Sequence, residues 1–302
     1  KAKAREAFKS REGSAWEKDL FAGTSNNMPT TFVGYDEYEC DAKILYIIMD
    51  DALVDSAQQD DEITLVLDRT PFYAEMGGQV GDTGIISNDN FRMEVKDCRK
   101  TTDDKYLHIG KVVSGSAMVG DKVHAAIDAE KRLATARNHT ATHLLHKALK
   151  EILGDHVNQA GSLVSPERLR FDFTHFSAIE PEQLDMIEKR VNEKILENIP
   201  VTVEEMSLED ARKSGATALF GEKYKDVVRV VSVGSYSREL CGGTHLSYTG
   251  QAGIFKILSE SGISAGVRRI EALTGFNALN YFRGREELLK KAAVAAKSTP
   301  ED

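Results

Sequence analysis

The stretch NHTATHLLHKALKEILG, Asn138 to Gly154, decides the architecture of the second half of this chain. Its apolar residues Ala141, Leu144, Leu145, Ala148, Leu149, Ile152 and Leu153 recur at the spacing of one helical face. Asp128 to Leu153 therefore reads as a single long helix, with Gly154 as its stop. Downstream, Pro181 opens a second helix that turns Leu184, Ile187, Val191 and Ile195 inward. A short helix is expected at Leu208 to Lys213, and strands at Arg168 to Phe173, Val201 to Glu205, Val227 to Val233, Gly253 to Leu258 and Val267 to Ala272. Helices and strands interleave without a regular βαβ repeat, which favours a two-layer α+β arrangement over a doubly wound sheet.

Upstream the texture changes. Short strand-like runs at Lys43 to Met49, Glu62 to Leu67, Phe91 to Arg99, Tyr106 to Val113 and Asp121 to Asp128 are separated by turn signals such as Asn88-Asp89-Asn90. A small β-barrel is the simplest way to close them. Residues 1 to about 20 read as an exposed helix ended by the 23–29 stretch, and the pattern turns helical again from Phe276. The fold expected is thus α+β: a β-barrel subdomain followed by a two-layer α/β domain, flanked by helical ends.

Composition narrows the function. The 302 residues are enough for about two domains. A net charge of −9 from 39 Lys plus Arg and 48 Asp plus Glu argues against a protein that coats nucleic acid nonspecifically. No apolar run approaches the roughly 20 residues of a membrane span, so no membrane partner is expected. Cys40, Cys98 and Cys241 are odd in number and irregularly spaced, which suits a reducing cytoplasm rather than a disulfide framework. The chain begins at Lys1 without Met and ends in a charged helical pattern, so a segment of a longer protein is expected.

The chemistry concentrates in two motifs. His139 and His143 lie four residues apart and therefore on one helical face, within reach of one metal ion. Counted from Leu144, they sit at about 220° and about 260°, while the apolar stripe is centred near about 70°. They thus point away from the core, and two solvated histidines are the plain alternative. Cys241-Gly-Gly-Thr-His245 offers a thiolate and an imidazole at the same spacing, with two glycines to turn the backbone tightly. Three imidazoles and one thiolate make a tetrahedral set suited to one zinc ion, against the alternative of a small buried cysteine and a surface histidine. Thr140 stands where a zinc metalloprotease would carry its catalytic glutamate, and no Cys-x-x-Cys of a nucleobase deaminase occurs.

Together with RTPFYAEMGGQVGDTG, Arg69 to Gly84, these motifs resemble the editing region of the bacterial alanyl-tRNA synthetases, a pattern shared with free-standing alanyl-tRNA editing proteins. One position departs: Met76 stands where relatives usually have a small residue. The resemblance implies that residues 1–24 end a tRNA-recognition region, 25–128 form the barrel, 129–274 form a zinc-containing editing domain, and 275–302 begin a C-terminal helix. It implies His139, His143, Cys241 and His245 as zinc ligands, and hydrolysis of the ester in seryl- or glycyl-tRNA(Ala). The parent would be an ATP-dependent alanine–tRNA ligase in the cytoplasm. Nothing in this chain resembles a class II catalytic core, so ATP binding and tRNA charging are not expected of it.

In that light Thr142, Gln159 and Ser162 are candidates for a polar pocket, Gln159 also by resemblance, with ordinary turn polarity as the alternative. Gly77, Gly78 and Gln79 form a glycine-rich loop where backbone can approach the acceptor end, unless the glycines serve only turn geometry. Local positive charge at Lys131 with Arg132 and Arg137, at Arg168 with Arg170, and at Arg268 with Arg269 offers phosphate contacts to tRNA. The partners implied are the acceptor end of tRNA(Ala) and the remaining domains of the parent. Two rival readings remain: a free-standing deacylase, and a noncatalytic RNA-binding module stapled by zinc.

Overall fold

A computed structural model describes residues 20–21, 28–218 and 225–299. The expected leading helix therefore lies outside the described residues except for Leu20 and Phe21. Two compact units emerge, one comprising the chain up to Met76 with Val80–Arg132, the other Gly77–Gln79 with the residues from Leu133 onward.

The first unit is a closed barrel. Strands β2 (Glu39–Met49), β5 (Glu62–Leu67), β7 (Gly84–Asn88), β8 (Phe91–Lys100), β9 (Tyr106–Met118) and β10 (Lys122–Ile127) pair in the order β10-β7-β8-β9-β5-β2, and β10 returns to β2. Every pairing in this ring is antiparallel, and closure leaves the six strands with no open edge. Short β3 (Ala52–Val54) and β4 (Ser56–Gln58) pair with β2 and β9, and β1 (Thr31–Phe32) lies parallel to β6 (Arg69–Thr70). Alternation drives the closure: along β8, Phe91, Met93 and Val95 are buried while Arg92, Glu94 and Lys96 are exposed. Ile44, Leu65, Leu67, Phe72 and Ile86 meet them in one apolar core.

One imidazole is buried in this barrel. His108 is fully enclosed, its Nδ1 2.9 Å from the Leu65 carbonyl and its Nε2 2.6 Å from the Thr70 hydroxyl. The carbonyl can only accept, so Nδ1 carries the proton and Nε2 accepts from Thr70. Burial pushes its pKa down to about 4 from an ordinary 6.5. In the unfolded chain the ring takes up a proton near pH 6.5, whereas in the fold it stays neutral to about pH 4. Its contribution to stability is therefore whole above pH 6.5 and declines as the pH falls toward 4, by up to about 3 kcal/mol. Urea titrations at pH 7 and pH 4.5 are expected to show His108→Gln losing less stability on acidification than the natural chain. Equal losses would contradict this role.

The second unit has two small sheets under helices. Helix α1 (Ala129–Leu153) begins in the first unit and continues into the second after Arg132. Strands β11 (Gln159–Val164), β12 (Leu169–Thr174), β17 (Val267–Thr274) and β16 (Phe255–Ser264) form an antiparallel sheet in that order. Strands β13 (Val201–Ser207), β14 (Val227–Val233) and β15 (Ser237–Leu240) form the other. Helix α2 (Pro181–Leu196) starts with proline inside a Glu180/Gln183 capping box, and Ser207 caps the short α3 (Leu208–Lys213) by accepting from the Asp210 amide. A further helix, α4 (Gly275–Ala296), follows β17. Leu144, Leu145 and Leu149 of α1 pack with Ile187 and Val191 of α2 and with Phe171, Phe173 and Ile270 of the sheet. These stripes are the ones the periodicity indicates, and the class is the expected α+β.

Candidate metal centre

Helix α1 carries more than its apolar stripe. Every residue from Asn138 to His146 is buried, so the face that bears His139 and His143 is covered rather than solvated. What covers it is polar: the 241–246 turn after β15, Glu239 of β15, and the Gln79 side chain. Among the described residues, the ligand atoms of His139, His143, Cys241 and His245 all lie within 4.8 Å of one another. Cys241 Sγ is 3.4 Å from His139 Nε2 and 3.2 Å from His245 Nε2.

Each imidazole turns its far nitrogen to a separate partner. His139 Nδ1 lies 2.8 Å from Gln79 Oε1, and the same oxygen accepts from the Thr244 amide at 2.9 Å. The backbone amide can only donate, so this atom is the oxygen, His139 Nδ1 bears the proton, and Nε2 keeps its lone pair for the cluster. His245 Nδ1 sits 3.2 Å from the Thr140 hydroxyl, which also accepts from the Leu246 amide. His143 Nδ1 lies 3.5 Å from a Glu239 carboxylate oxygen. Gly243 has to be glycine: a Cβ there would come within 2.0 Å of His139 Cε1. Arg229 holds the turn by donating to the Gly243 carbonyl at 2.6 Å.

The electrostatics suit a cation. Burial alone would raise the Cys241 thiol, but His139, His245 and His143 hold it well below the ordinary thiol range, where the thiolate a metal requires is available. Burial drives His245 down to about 3, leaving a neutral ring. Burial opposes charge on His143 as well, yet Glu239 and Cys241 carry it up to about 9. An arriving cation would displace that proton from Nε2. The residues fit zinc: three nitrogens and one sulfur are a zinc donor set, and about 3.6 Å is the sulfur–nitrogen edge of a zinc tetrahedron. The two Sγ to Nε2 distances, 3.4 and 3.2 Å, lie slightly inside that edge.

The other candidate residues divide. Gln79, expected to face an acceptor end, is fully buried, and its amide also donates to Thr244 Oγ1 at 2.9 Å. Gly78, at φ +82°, runs beside β11, where a Cβ would strike the Ser162 carbonyl at 2.7 Å. The Val164 amide donates to the Gly78 carbonyl at 2.7 Å, and Gln79 bridges to Val164. Gln159 and Ser162 are half-buried on that strand. Thr142 is buried and donates to the Asn138 carbonyl, so its oxygen has only accepting capacity left.

Among the arginines, the expectation for Arg132 is corrected. Its guanidinium is 3% exposed and is consumed by Asp82 and by the Gly34 and Pro71 carbonyls, so no face is left for a phosphate. Arg269 forks onto Asp172 at 2.7 and 2.8 Å, and Arg268 onto Glu260. Arg168 lies 3.5 Å from Glu271, Arg170 3.8 Å from Asp172, and Arg137 donates to the Gln251 carbonyl. These five are placed at or near the surface, but each already has a protein partner. Sequence reasoning missed Thr140, Arg229 and Glu239. For Glu239 a signal existed: Ser237, Glu239 and Cys241 alternate, which sets them on one side of an extended chain.

Two family descriptions match the chain. One, tRNA synthetases class II (A), covers residues 1–131, and the other, the threonyl and alanyl tRNA synthetase second additional domain, covers residues 228–271, which include Cys241 and His245. Over 299 residues the chain is 59% identical to the alanine–tRNA ligase of Acetivibrio thermocellus, a match covering 99% of the chain and 34% of that protein. The chain belongs to the alanyl-tRNA synthetase family. The alanine–tRNA ligases of Clostridioides difficile and Saccharophagus degradans are 51% and 49% identical, over 99% and 97% of the chain and 34% of each relative. The chain spans about a third of the length of these curated alanyl-tRNA synthetases. The class II match reaches over the barrel, a segment in which the sequence alone showed no likeness to a class II catalytic core. No helix among the described residues is long and apolar enough to cross a membrane.

Proposed function

We propose that this chain is an editing segment of an alanyl-tRNA synthetase, hydrolysing the ester of seryl- or glycyl-tRNA(Ala) with one zinc ion held by His139, His143, Cys241 and His245. The observation that carries the reading is the convergence of these four donors within 4.8 Å, two of them inside the matched second additional domain. When bound, zinc supplies positive charge next to the ester or the amino group of the aminoacyl end. The protein's own groups do the rest. Gln79 and Glu239 hold imidazoles with lone pairs inward, Gly243 lets the turn press against His139, and Arg229 fixes the carbonyls behind it. Gln159 and Ser162 are polar groups on β11 beside the Gly77-Gly78 loop, suited to line a pocket for the aminoacyl end and to pair with a serine hydroxyl.

Selectivity follows from an asymmetry of pockets. An apolar pocket that accepts alanine rejects an added hydroxyl poorly, so a synthetase for alanine gains from a second site. A second site with buried polar groups favours the hydroxylated residue, because alanine leaves those groups unpaired. The partners in this reading are the acceptor end of tRNA(Ala) and the other domains of an ATP-dependent alanine–tRNA ligase in the cytoplasm. Domain limits of 25–128 for the barrel and 129–274 for the editing domain belong to the same reading.

One observation favours a second reading. Four protein donors would fill a tetrahedral zinc, as in structural sites, and would leave no open position. In that reading the ion staples a tRNA-docking module. Hydrolysis of seryl-tRNA(Ala) beside alanyl-tRNA(Ala) separates the two. Rapid loss of serine with alanine spared is expected of the deacylase; zinc and tRNA bound without turnover would establish the docking module instead.

A further inference from the structure

Helix α1 carries three buried histidines, His139, His143 and His146, and helical spacing places all three toward the same side. Spacing alone therefore does not say which of them ligate. The Glu239 side chain faces two of them. This carboxylate is 8% exposed, with one oxygen 3.1 Å from His146 Nδ1 and the other 3.5 Å from His143 Nδ1, while Ser237 donates to the first at 3.3 Å. A carboxylate only accepts, so it fixes the proton of His146 on Nδ1; toward His143 Nδ1, which makes no hydrogen bond, its other oxygen at 3.5 Å favours a proton by charge alone.

We propose that Glu239 is a positioning residue that makes His143 a metal ligand through Nε2. The inference rests on the reading that the site holds a metal. Fixing the proton of His143 on Nδ1 leaves Nε2 as its donor, and it is the ring that stands 4.7 Å from His245 and 5.5 Å from His139. His146 is held by the same carboxylate against the Phe171 ring at 5.3 Å, with its Nε2 buried and unpartnered. Nε2 is thus left free of the carboxylate on both rings, and it is position that separates them: His143 stands among the other donors and His146 against Phe171. Glu239 also ties α1 to the strand that leads into Cys241, so both halves of the donor set are oriented together.

The substitution Glu239→Gln separates this from mere packing. An amide of the same shape has one accepting end and one donating end, so it cannot serve two Nδ1–H groups. The test is the nitrogen-15 spectrum of the histidine rings in the zinc-loaded chain, with zinc affinity measured by chelator competition. The natural chain is expected to show Nδ1–H at both His143 and His146. The variant is expected to lose Nδ1–H at one of them and to bind zinc about 10- to 100-fold more weakly. Two Nδ1–H rings and unchanged affinity in the variant would overturn the proposal. So would zinc bound to the natural chain with the proton of His143 on Nε2, a result that needs no variant and leaves the metal reading intact. Failure of the natural chain to bind zinc at all would overturn the metal reading and this inference together.

Discussion

Replacing His143 with alanine is expected to lower bound zinc from one ion per chain to almost none, and to cut hydrolysis of seryl-tRNA(Ala) by more than about 100-fold. The magnitude follows from position: losing a group that only orients a ligand costs about 10- to 100-fold in metal affinity, and in the proposed site His143 is itself a donor. Its removal leaves three of the four donors, and it leaves the buried Glu239 carboxylate with His146 as its remaining imidazole. Metal content by mass spectrometry, together with deacylation on the same preparation, checks both effects. Full zinc content with full activity would remove His143 from the site.

The second large effect concerns stability. Arg132→Ala is expected to destabilise the barrel unit by about 3–5 kcal/mol, the usual cost of stranding one member of a buried ion pair. Asp82 is 7% exposed; it takes the Arg132 Nε–H at 3.0 Å and the Tyr73 amide at 2.7 Å, and among the described residues Arg132 is its ion-pair partner. Arg132 also satisfies the Gly34 and Pro71 carbonyls, which become unpaired as well. Equilibrium urea unfolding measures the loss. A change under about 1 kcal/mol, coupled with a weaker salt dependence of tRNA binding, would return Arg132 to the role of a phosphate contact.

Arg132 shows where the sequence stops being informative. In the sequence it is one of two adjacent basic residues at a helix start, and its partner Asp82 lies 50 positions away. Contacts at that separation leave no periodic trace. The same holds for Gln79, which reaches Thr244 across 165 positions and ends up behind His139 instead of facing solvent. By contrast, a helix signals itself over a few turns. The stripe from Ala141 to Leu153 gives α1, and the four-residue spacings of His139 with His143 and of Cys241 with His245 give the donor pairs.

Strands were legible in proportion to their alternation. β5 and β8 alternate, β14 is valine-rich but for Arg229 and Ser232, and each is visible in the sequence. The two- and three-residue strands β1, β3, β4 and β6 are too short to carry a period. β11 reads QAGSLV, whose glycine and polar residues resemble a turn; it is a strand because β12 pairs with it. That strand holds Gln159 and Ser162, so the part of the candidate pocket least visible in the sequence is the part placed by tertiary pairing.

X-ray absorption at the zinc edge, on the intact chain with its metal content determined, tests the centre of this account most directly. One zinc per chain is predicted, with a first shell of one sulfur at about 2.3 Å and nitrogen neighbours at about 2.0–2.1 Å, the signature of Cys241 with its three histidines. A chain that takes up no zinc, or a bound zinc without sulfur in its first shell, would contradict it.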